Sequence, residues 1–64
     1  MKLNGHTVNI NIELSLLEFL QQNKYDISKI AVELNGDIIP KADYMNVLLK
    51  EDDSLEVVSF VGGG

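Results

Sequence analysis

The 64-residue sequence contains no cysteine, and this absence excludes three kinds of chemistry at once. Without thiols the chain has no disulfide, no cysteine-based metal site and no thiol nucleophile. A chain that does not depend on disulfides suits a reducing compartment, and we predict a cytoplasmic protein.

Arginine is also absent, and ten acidic residues outnumber five basic ones to give a net charge of −5. Binding to nucleic acid requires basic side chains that neutralise phosphates, so we predict no nucleic-acid partner. A basic protein surface is a more natural counterpart because opposite charges steer encounter. The alternative is that the negative charge only keeps a small protein in solution.

Long apolar runs are missing, since no segment approaches the roughly 20 residues that cross a bilayer. The first residues enter a strand-like pattern directly, without the basic and apolar regions of a signal peptide. We therefore predict no membrane association. A chain of this length has room for one domain, which buries about 60% of its unfolded surface and leaves little volume for an enclosed active site.

Familiar catalytic and metal-binding patterns are absent too. His6 is the only histidine and follows a turn glycine, so it is more typical of an exposed turn residue than of a catalytic base. Glu51, Asp52 and Asp53 are adjacent acids without the spacing of a calcium loop, which favours a solvated turn. We predict no metal, no bound cofactor and no catalytic residue in this chain.

Two hairpins are predicted from Asn-Gly pairs, which supply the positive φ angles of a type I′ turn. Asn4-Gly5 separates a stub at residues 2–3 from a strand over residues 7–12, in which Val8, Ile10 and Ile12 alternate with polar residues. Asn35-Gly36 separates a strand at residues 30–34 from a short one at residues 37–39.

One helix is predicted between the hairpins. Ser15 and Glu18 have the spacing of a capping box, in which each side chain bonds the other residue's backbone N–H. Leu16, Phe19 and Leu20 follow at the spacing of one apolar helix face. Pro40 ends the second hairpin, and residues 41–45 are predicted to form a connector with one turn of helix, anchored by Tyr44 and Val47.

The last predicted strand covers residues 55–61 and is almost entirely apolar, which favours contacts on both of its faces. Its alternation places Leu55 and Val57 toward the helix and leaves Val58 and Phe60 as an apolar patch for a docking partner. The alternative for Phe60 is a place in the core. The order of elements predicts an α+β fold, the ubiquitin-like β-grasp, with a small mixed sheet, one main helix on one face, and the first and last strands parallel.

The sequence ends in Gly62, Gly63 and Gly64, and we predict a domain over residues 1–61 followed by a flexible tail over residues 62–64. Three glycines lack side chains and reach roughly 10 Å when extended, at about 3.3–3.6 Å per residue. Such a segment suits threading of a terminal carboxylate into a partner's active site, where adenylation would activate it. The alternative is a frayed chain end.

Together these residues resemble the ThiS family of sulfur carriers in thiamine biosynthesis. The resemblance is carried by the central hairpin over residues 31–41, by the aromatic Tyr44, and by residues 53–64 with the glycine tail. It departs at Asp52-Asp53, where the family usually has Gly-Asp. The family resemblance implies a carrier rather than an enzyme.

The same resemblance implies the chemistry of the tail and the partners. A ubiquitin-activating-like adenylyltransferase of the ThiF type would use ATP to adenylate Gly64, a sulfur-donor relay would convert it to a thiocarboxylate, and a ThiG-type thiazole synthase would take the sulfur. The alternatives are the small subunit of molybdopterin synthase, a ubiquitin-like modifier conjugated to lysines, and a β-grasp binding module with an idle tail.

Overall fold

The computed structural model describes residues 1–10 and 13–60 of the chain. Its strands, in chain order, are β1 (Lys2–Leu3), β2 (His6–Thr7), β3 (Ile30–Leu34), β4 (Asp37–Ile38) and β5 (Ser54–Ser59). The helix α1 spans Leu16–Gln22, and 3₁₀ turns cover Ile27–Lys29 and Lys41–Asp43. The predicted element order is confirmed, with the turn at Ile27–Lys29 as an addition.

The strands form one mixed sheet in the order β2-β1-β5-β3-β4. β1 and β5 are parallel, with Leu3 opposite Leu55, whereas β3 is antiparallel to β5. The predicted pairing of the first and last strands is therefore confirmed, and β5 is the central strand. This sheet with one helix has the architecture of the ubiquitin-like β-grasp.

Both hairpins turn at their Asn-Gly pairs, as predicted. Asn4 and Gly5 have φ values of 49° and 85°, and Asn35 and Gly36 have 53° and 89°. Four positive φ values at the central positions of two tight turns are the condition that a type I′ turn imposes, and asparagine and glycine adopt them at least cost.

The capping box that starts α1 is formed in full. The Ser15 hydroxyl accepts from the Glu18 N–H at 3.0 Å, and Glu18 Oε1 accepts from the Ser15 N–H at 3.1 Å. Leu16, Phe19 and Leu20 are the buried residues of the helix. The hydrogen bonds that the Glu18 carboxylate accepts from Ser15, chiefly from its backbone N–H, hold the pKa of Glu18 below its usual value.

The core lies between α1 and one face of the sheet. Its buried hydrophobic residues are Leu14, Leu16, Phe19, Leu20, Ile30, Val32, Tyr44, Leu49, Leu55 and Val57. Tyr44 is 1% exposed and is the largest of the fully buried side chains, which confirms it as an anchor of the connector. Val47 is only partly buried against this cluster.

Two of the predicted strands were wrong in extent. The strand expected over residues 7–12 is limited to β2, and Val8 and Ile10 lie beyond it, half-buried; Ile12 falls outside the described residues. The β1–β2 ladder covers only two residue pairs, and beyond Thr7 it is continued only by hydrogen bonds between Val8 and Met1 in the described residues. β5 begins one residue earlier than predicted and ends at Ser59, and Val61 falls outside the described residues.

The prediction that β5 contacts other residues on both faces was also wrong. Leu55 and Val57 are buried, whereas the alternate residues Glu56 and Val58 are exposed. Apolar composition overstated the burial here, because in the part of the chain that the structure describes α1 packs on one face of the sheet only. β5 is enclosed laterally by β1 and β3 but open on one face.

Candidate functional site: the outer face and end of the central strand

The sheet face opposite α1, here called the outer face, carries the predicted docking residues. Val58 is 58% exposed and Phe60 is 47% exposed. The prediction that these two side chains are accessible is confirmed, and the alternative that Phe60 completes the core is wrong. Their docking role stays a prediction.

Apolar surface on the outer face extends beyond β5. Ala31 lies opposite Val58 in the β3–β5 ladder, and residues directly opposite in a ladder share a face. On β4, Ile38 is 76% exposed and lies opposite Glu33 of β3. Exposed apolar side chains that share one sheet face are typical of a protein-binding surface.

Two carboxylates border this apolar surface. Glu33 and Glu56 are direct cross-strand partners, and like charges in that position destabilise a sheet. Within residues 1–10 and 13–60 one ion pair is formed, between Lys29 and Asp26 at 4.0 Å. In that part of the chain, therefore, no lysine forms an ion pair with either glutamate. The outer face therefore presents negative charge beside apolar side chains.

The end of β5 is held by backbone and side-chain contacts. The Phe60 N–H donates to the Lys29 carbonyl at 2.9 Å, which continues the antiparallel ladder by one residue. Lys41 Nζ lies 5.8 Å from the centroid of the Phe60 ring, within the range of a cation–π contact. Phe60 is thus held on the outer face directly after the last residue of β5.

Asp26 lies near this end of the strand and is charged at neutral pH. Its carboxylate accepts from both the N–H and the hydroxyl of Ser28, at 3.0 and 2.7 Å. These bonds, with a smaller contribution from Lys29 and Lys41, hold the pKa of Asp26 below its usual value. The end of β5 therefore mixes lysines with a carboxylate, in contrast to the purely acidic pair nearer the middle of the sheet.

The opposite end of β5 is fixed by an amide–carboxylate pair that sequence inspection missed. Asp53 is 8% exposed, and its two oxygens accept from Asn35 Nδ2 at 2.9 Å and from the Lys50 N–H at 2.8 Å. Asn35 Oδ1 in turn accepts from the Ser54 N–H at 2.9 Å. The predicted solvated turn over residues 51–53 is therefore wrong for Asp53, which has a structural role, and right for Glu51 and Asp52, which are exposed.

His6 and the acidic turn lie apart from the end of β5 at Phe60. His6 is exposed on β2, and the part of the chain that the structure describes contains no group of three or more His, Asp or Glu side chains placed to hold a metal ion. A depression of about 280 Å³ beside Met1 and Glu51 lies at the start of β5, away from Phe60. This volume is below the usual size of small-molecule sites, about 300–1,000 Å³.

The three terminal residues predicted to act chemically lie outside the described residues. The proposed chemical role of Gly62, Gly63 and Gly64 thus stays a prediction, as does the division into a domain over residues 1–61 and a tail over residues 62–64. Of the helices in residues 1–10 and 13–60, none has the length and apolar character to cross a bilayer.

The chain is similar to known proteins over its whole length. It is 37% identical over 62 residues to a thiazole synthase of Paramagnetospirillum magneticum (strain ATCC 700264 / AMB-1), a match that covers 97% of this chain but 19% of that protein. The chain therefore spans about a fifth of the thiazole synthase. It is also 33% identical over 64 residues to the ycf40 protein of Pyropia yezoensis, covering 100% of this chain and 90% of that one.

The fold is shared with a solved protein of related sequence. The crystal structure of the thiamine biosynthesis protein ThiS from Geobacter metallireducens superposes with a TM-score of 0.79 at 29% identity, covering 98% of this chain and 96% of that one. The model of the ThiS family matches residues 1–64, which include both Asn-Gly hairpins, the capping box and the terminal glycines. This chain belongs to the ThiS family.

Proposed function

We propose that this chain is a sulfur carrier for synthesis of the thiazole moiety of thiamine, and that the terminal carboxylate of Gly64 is the group that carries the sulfur. The observation that carries the proposal is the family match over residues 1–64, which extends through the glycine tail. The chain itself would be a carrier and not a catalyst.

The proposed chemistry begins with activation of a poor electrophile. The Gly64 carboxylate oxygen attacks the α-phosphorus of ATP in a ThiF-type adenylating enzyme, and pyrophosphate leaves. Hydrosulfide delivered by a donor relay then attacks the acyl carbon, AMP leaves, and loss of the remaining S–H proton gives a terminal thiocarboxylate. ATP is consumed by the partner, and the carrier needs no resident cofactor.

The described residues support this division of labour between body and tail. β5 is the central strand and ends two residues before Val61, so the folded body lies immediately before the proposed tail. Val58 and Phe60 offer apolar contact area at that point, and Glu33 and Glu56 offer charge for a basic partner surface. Gly62 and Gly63 would pass through a narrow channel to the active site.

A thiazole synthase of the ThiG type is proposed as the protein that takes the sulfur. Support comes from thiazole synthases of Paramagnetospirillum magneticum and Magnetococcus marinus, each of which matches 97% of this chain over 19% of its own length. In those proteins a domain similar to this chain is joined to the remainder of a thiazole synthase. We also propose a cytoplasmic location, since the proposed activation of Gly64 consumes ATP.

The test is the intact mass of the chain after incubation with ATP, the adenylating enzyme and a sulfur source. We expect a mass gain equal to the replacement of one oxygen by one sulfur, and no gain in a matched variant that lacks Gly64. Subsequent addition of the thiazole synthase with its small-molecule substrates should reverse the gain.

Other outcomes would favour the alternatives. Higher-mass adducts on lysines would indicate a ubiquitin-like modifier, and sulfur transfer only to a molybdopterin synthase large subunit would indicate the small-subunit role. An unchanged mass with enzymes of demonstrated activity would contradict the carrier proposal and leave a binding module.

A further inference from the structure

The edge of β5 that faces β1 is closed over only part of its length. The Leu55 carbonyl accepts from the Asn4 N–H at 2.8 Å. Asn4 directly follows β1 and is the first residue of the turn. The register of the two parallel strands ends at Leu3 opposite Leu55. Backbone pairing between β1 and β5 therefore stops before Val57.

The side chain of Asn4 extends this ladder by one residue. Its Oδ1 accepts from the Val57 N–H at 2.8 Å, and its Nδ2 donates to the Val57 carbonyl at 3.3 Å. A side-chain amide has the same donor and acceptor as a peptide group, so Asn4 occupies the place of a strand residue opposite Val57. The chain then turns away through Gly5.

Ser59 is the next residue whose backbone groups point to this edge. Backbone groups of a strand alternate between its two neighbours, and the Phe60 N–H is directed at β3, where it donates to the Lys29 carbonyl. The Val57 groups are directed at Asn4, so those of Ser59 share that direction. Within residues 1–10 and 13–60 no hydrogen bond to the Ser59 N–H or carbonyl is formed on this edge, and the residue is exposed.

The space beside Ser59 is not taken by the neighbouring hairpin. β2 runs back toward the start of the sheet, where the Val8 N–H donates to the Met1 carbonyl at 2.9 Å. A Cβ placed on Gly5, at the tip of the turn, would meet no atom within 4 Å. An extended segment could therefore lie beyond the turn, in line with β1.

We propose that the edge of β5 at Ser59 is a strand-addition site, at which an extended backbone segment of the thiazole synthase pairs with the carrier. Exposed edge groups are a template for such pairing, and main-chain bonds supply affinity without requiring a particular side chain. The occupant is the thiazole synthase, because thiazole synthases of two bacteria each contain, in 19% of their own length, a segment similar to 97% of this chain. Ser59 is the last residue of β5, so a segment paired there lies close to the start of the proposed tail. This inference rests on the proposed function.

Asn4 has a second role in this arrangement. By satisfying Val57 it restricts strand addition to the part of the edge beyond that residue, which fixes the register of the incoming segment. A partner strand therefore begins its pairing next to the tail and not in the middle of β5.

The test is the affinity of the chain for the thiazole synthase encoded in the same genome, measured by calorimetry. Ser59→Pro removes an N–H that the fold does not use, and proline is tolerated at such an edge position. We expect Ser59→Pro to weaken binding roughly five- to tenfold, the effect of one backbone hydrogen bond, whereas the matched control Ser59→Ala retains the N–H and binds as the unmodified chain does.

Amide hydrogen exchange provides a second measurement that needs no variant. The Ser59 N–H should exchange freely in the isolated carrier and become protected in the complex, while the N–H of Glu56, which is bonded within the sheet, is protected in both. Equal exchange of Ser59 in the two states, with equal affinity of Ser59→Pro, would overturn the strand-addition site. Protection in the isolated chain that increases with its concentration would also overturn it, in favour of pairing between two copies.

Failure of the proposed function has a different signature. If the unmodified chain neither gains sulfur nor binds the thiazole synthase, the carrier proposal falls before the edge is tested. If it gains sulfur and binds while Ser59 exchanges freely in the complex, only the strand-addition site falls.

Discussion

The side-chain amide of Asn35 donates to the buried carboxylate of Asp53 at 2.9 Å, across 18 residues of sequence. The same Asn35 forms the β3–β4 turn with a φ of 53°, and its N–H donates to the Ser54 carbonyl at 2.8 Å. One asparagine thus shapes a turn and fixes the start of β5. Position 35 therefore needs a residue that tolerates a positive φ and also carries a side-chain amide, whereas an ordinary turn needs only the first.

Replacement of Asp53 by asparagine should destabilise the fold. Both carboxylate oxygens accept hydrogen bonds, so an amide at this position would direct its own N–H groups at a donor. We expect Asp53→Asn to lower the free energy of unfolding by about 1–3 kcal/mol, the cost of an unsatisfied buried group. Urea denaturation monitored by circular dichroism measures the change.

The neighbouring Asp52 supplies a matched control for this experiment. It is exposed, whereas Asp53 is buried. Asp52→Asn removes the same charge from the same turn and should change stability by less than about 0.5 kcal/mol. Equal effects of the two substitutions would mean that charge, and not the bonds of Asp53, determines the stability of the turn.

The capping box should make stability depend on pH through Glu18. The folded state lowers the pKa of Glu18 relative to its ordinary value of 4.5, so the carboxylate stabilises the fold above that value. This stability is lost as the pH falls through the lower, folded pKa. In urea titrations the difference between the unmodified chain and Glu18→Gln should shrink as the pH falls from 7 to below 4.5; a constant difference would contradict the assignment.

Sequence patterns identified the local features of this fold well. The two Asn-Gly turns and the Ser15–Glu18 capping box depend on residues close together in sequence, and all three form as predicted. The parallel pairing of β1 with β5 followed from the element order. The turns and the capping box depend on backbone geometry and on hydrogen bonds between residues at most three positions apart, so the spacing of residue types is enough to predict them.

Features that depend on distant residues were harder to predict. Alternation at Val8 and Ile10 indicated a strand, but the β1–β2 ladder has only two residue pairs, followed by the bonds between Val8 and Met1. Asp53 appeared to be a solvated acid because its partner Asn35 is distant in sequence. The pairing of Asn4 with Val57, across 53 residues, was missed for the same reason.

Burial of Tyr44 should make the fold sensitive to alkaline pH. Burial raises the pKa of its phenol above the ordinary value of 10.0, because the charged form loses hydration inside the core. The unfolded chain therefore loses its proton first, and stability falls as the pH rises above 10.0. Tyr44→Phe should reduce this decline in thermal unfolding between pH 8 and 11, with Tyr25→Phe as the control for loss of a phenolic hydroxyl elsewhere.

Neutralising one carboxylate of the outer face should stabilise the isolated protein. Glu56 lies directly opposite Glu33, and relief of this like-charge pair in Glu56→Gln should raise the free energy of unfolding by about 0.2–1 kcal/mol at low salt. Salt should reduce the gain because both groups are accessible to solvent. A gain that persists at high salt would indicate a contribution other than charge.

The docking role of the outer face is tested by shortening its exposed apolar side chains. Phe60→Ala and Val58→Ala should raise the KM for adenylation by the ThiF-type enzyme by about tenfold, since apolar anchors at an interface contribute about 1–2 kcal/mol each. The fold should tolerate both changes, because Val58 is 58% and Phe60 47% exposed. Met45→Ala is the matched control: Met45 is 65% exposed and belongs to the connector beside α1, outside the sheet. Val58 and Phe60 are not the docking residues if Met45→Ala raises KM as much as Phe60→Ala does. The same conclusion follows if neither outer-face variant changes KM, since the enzyme then binds the carrier elsewhere.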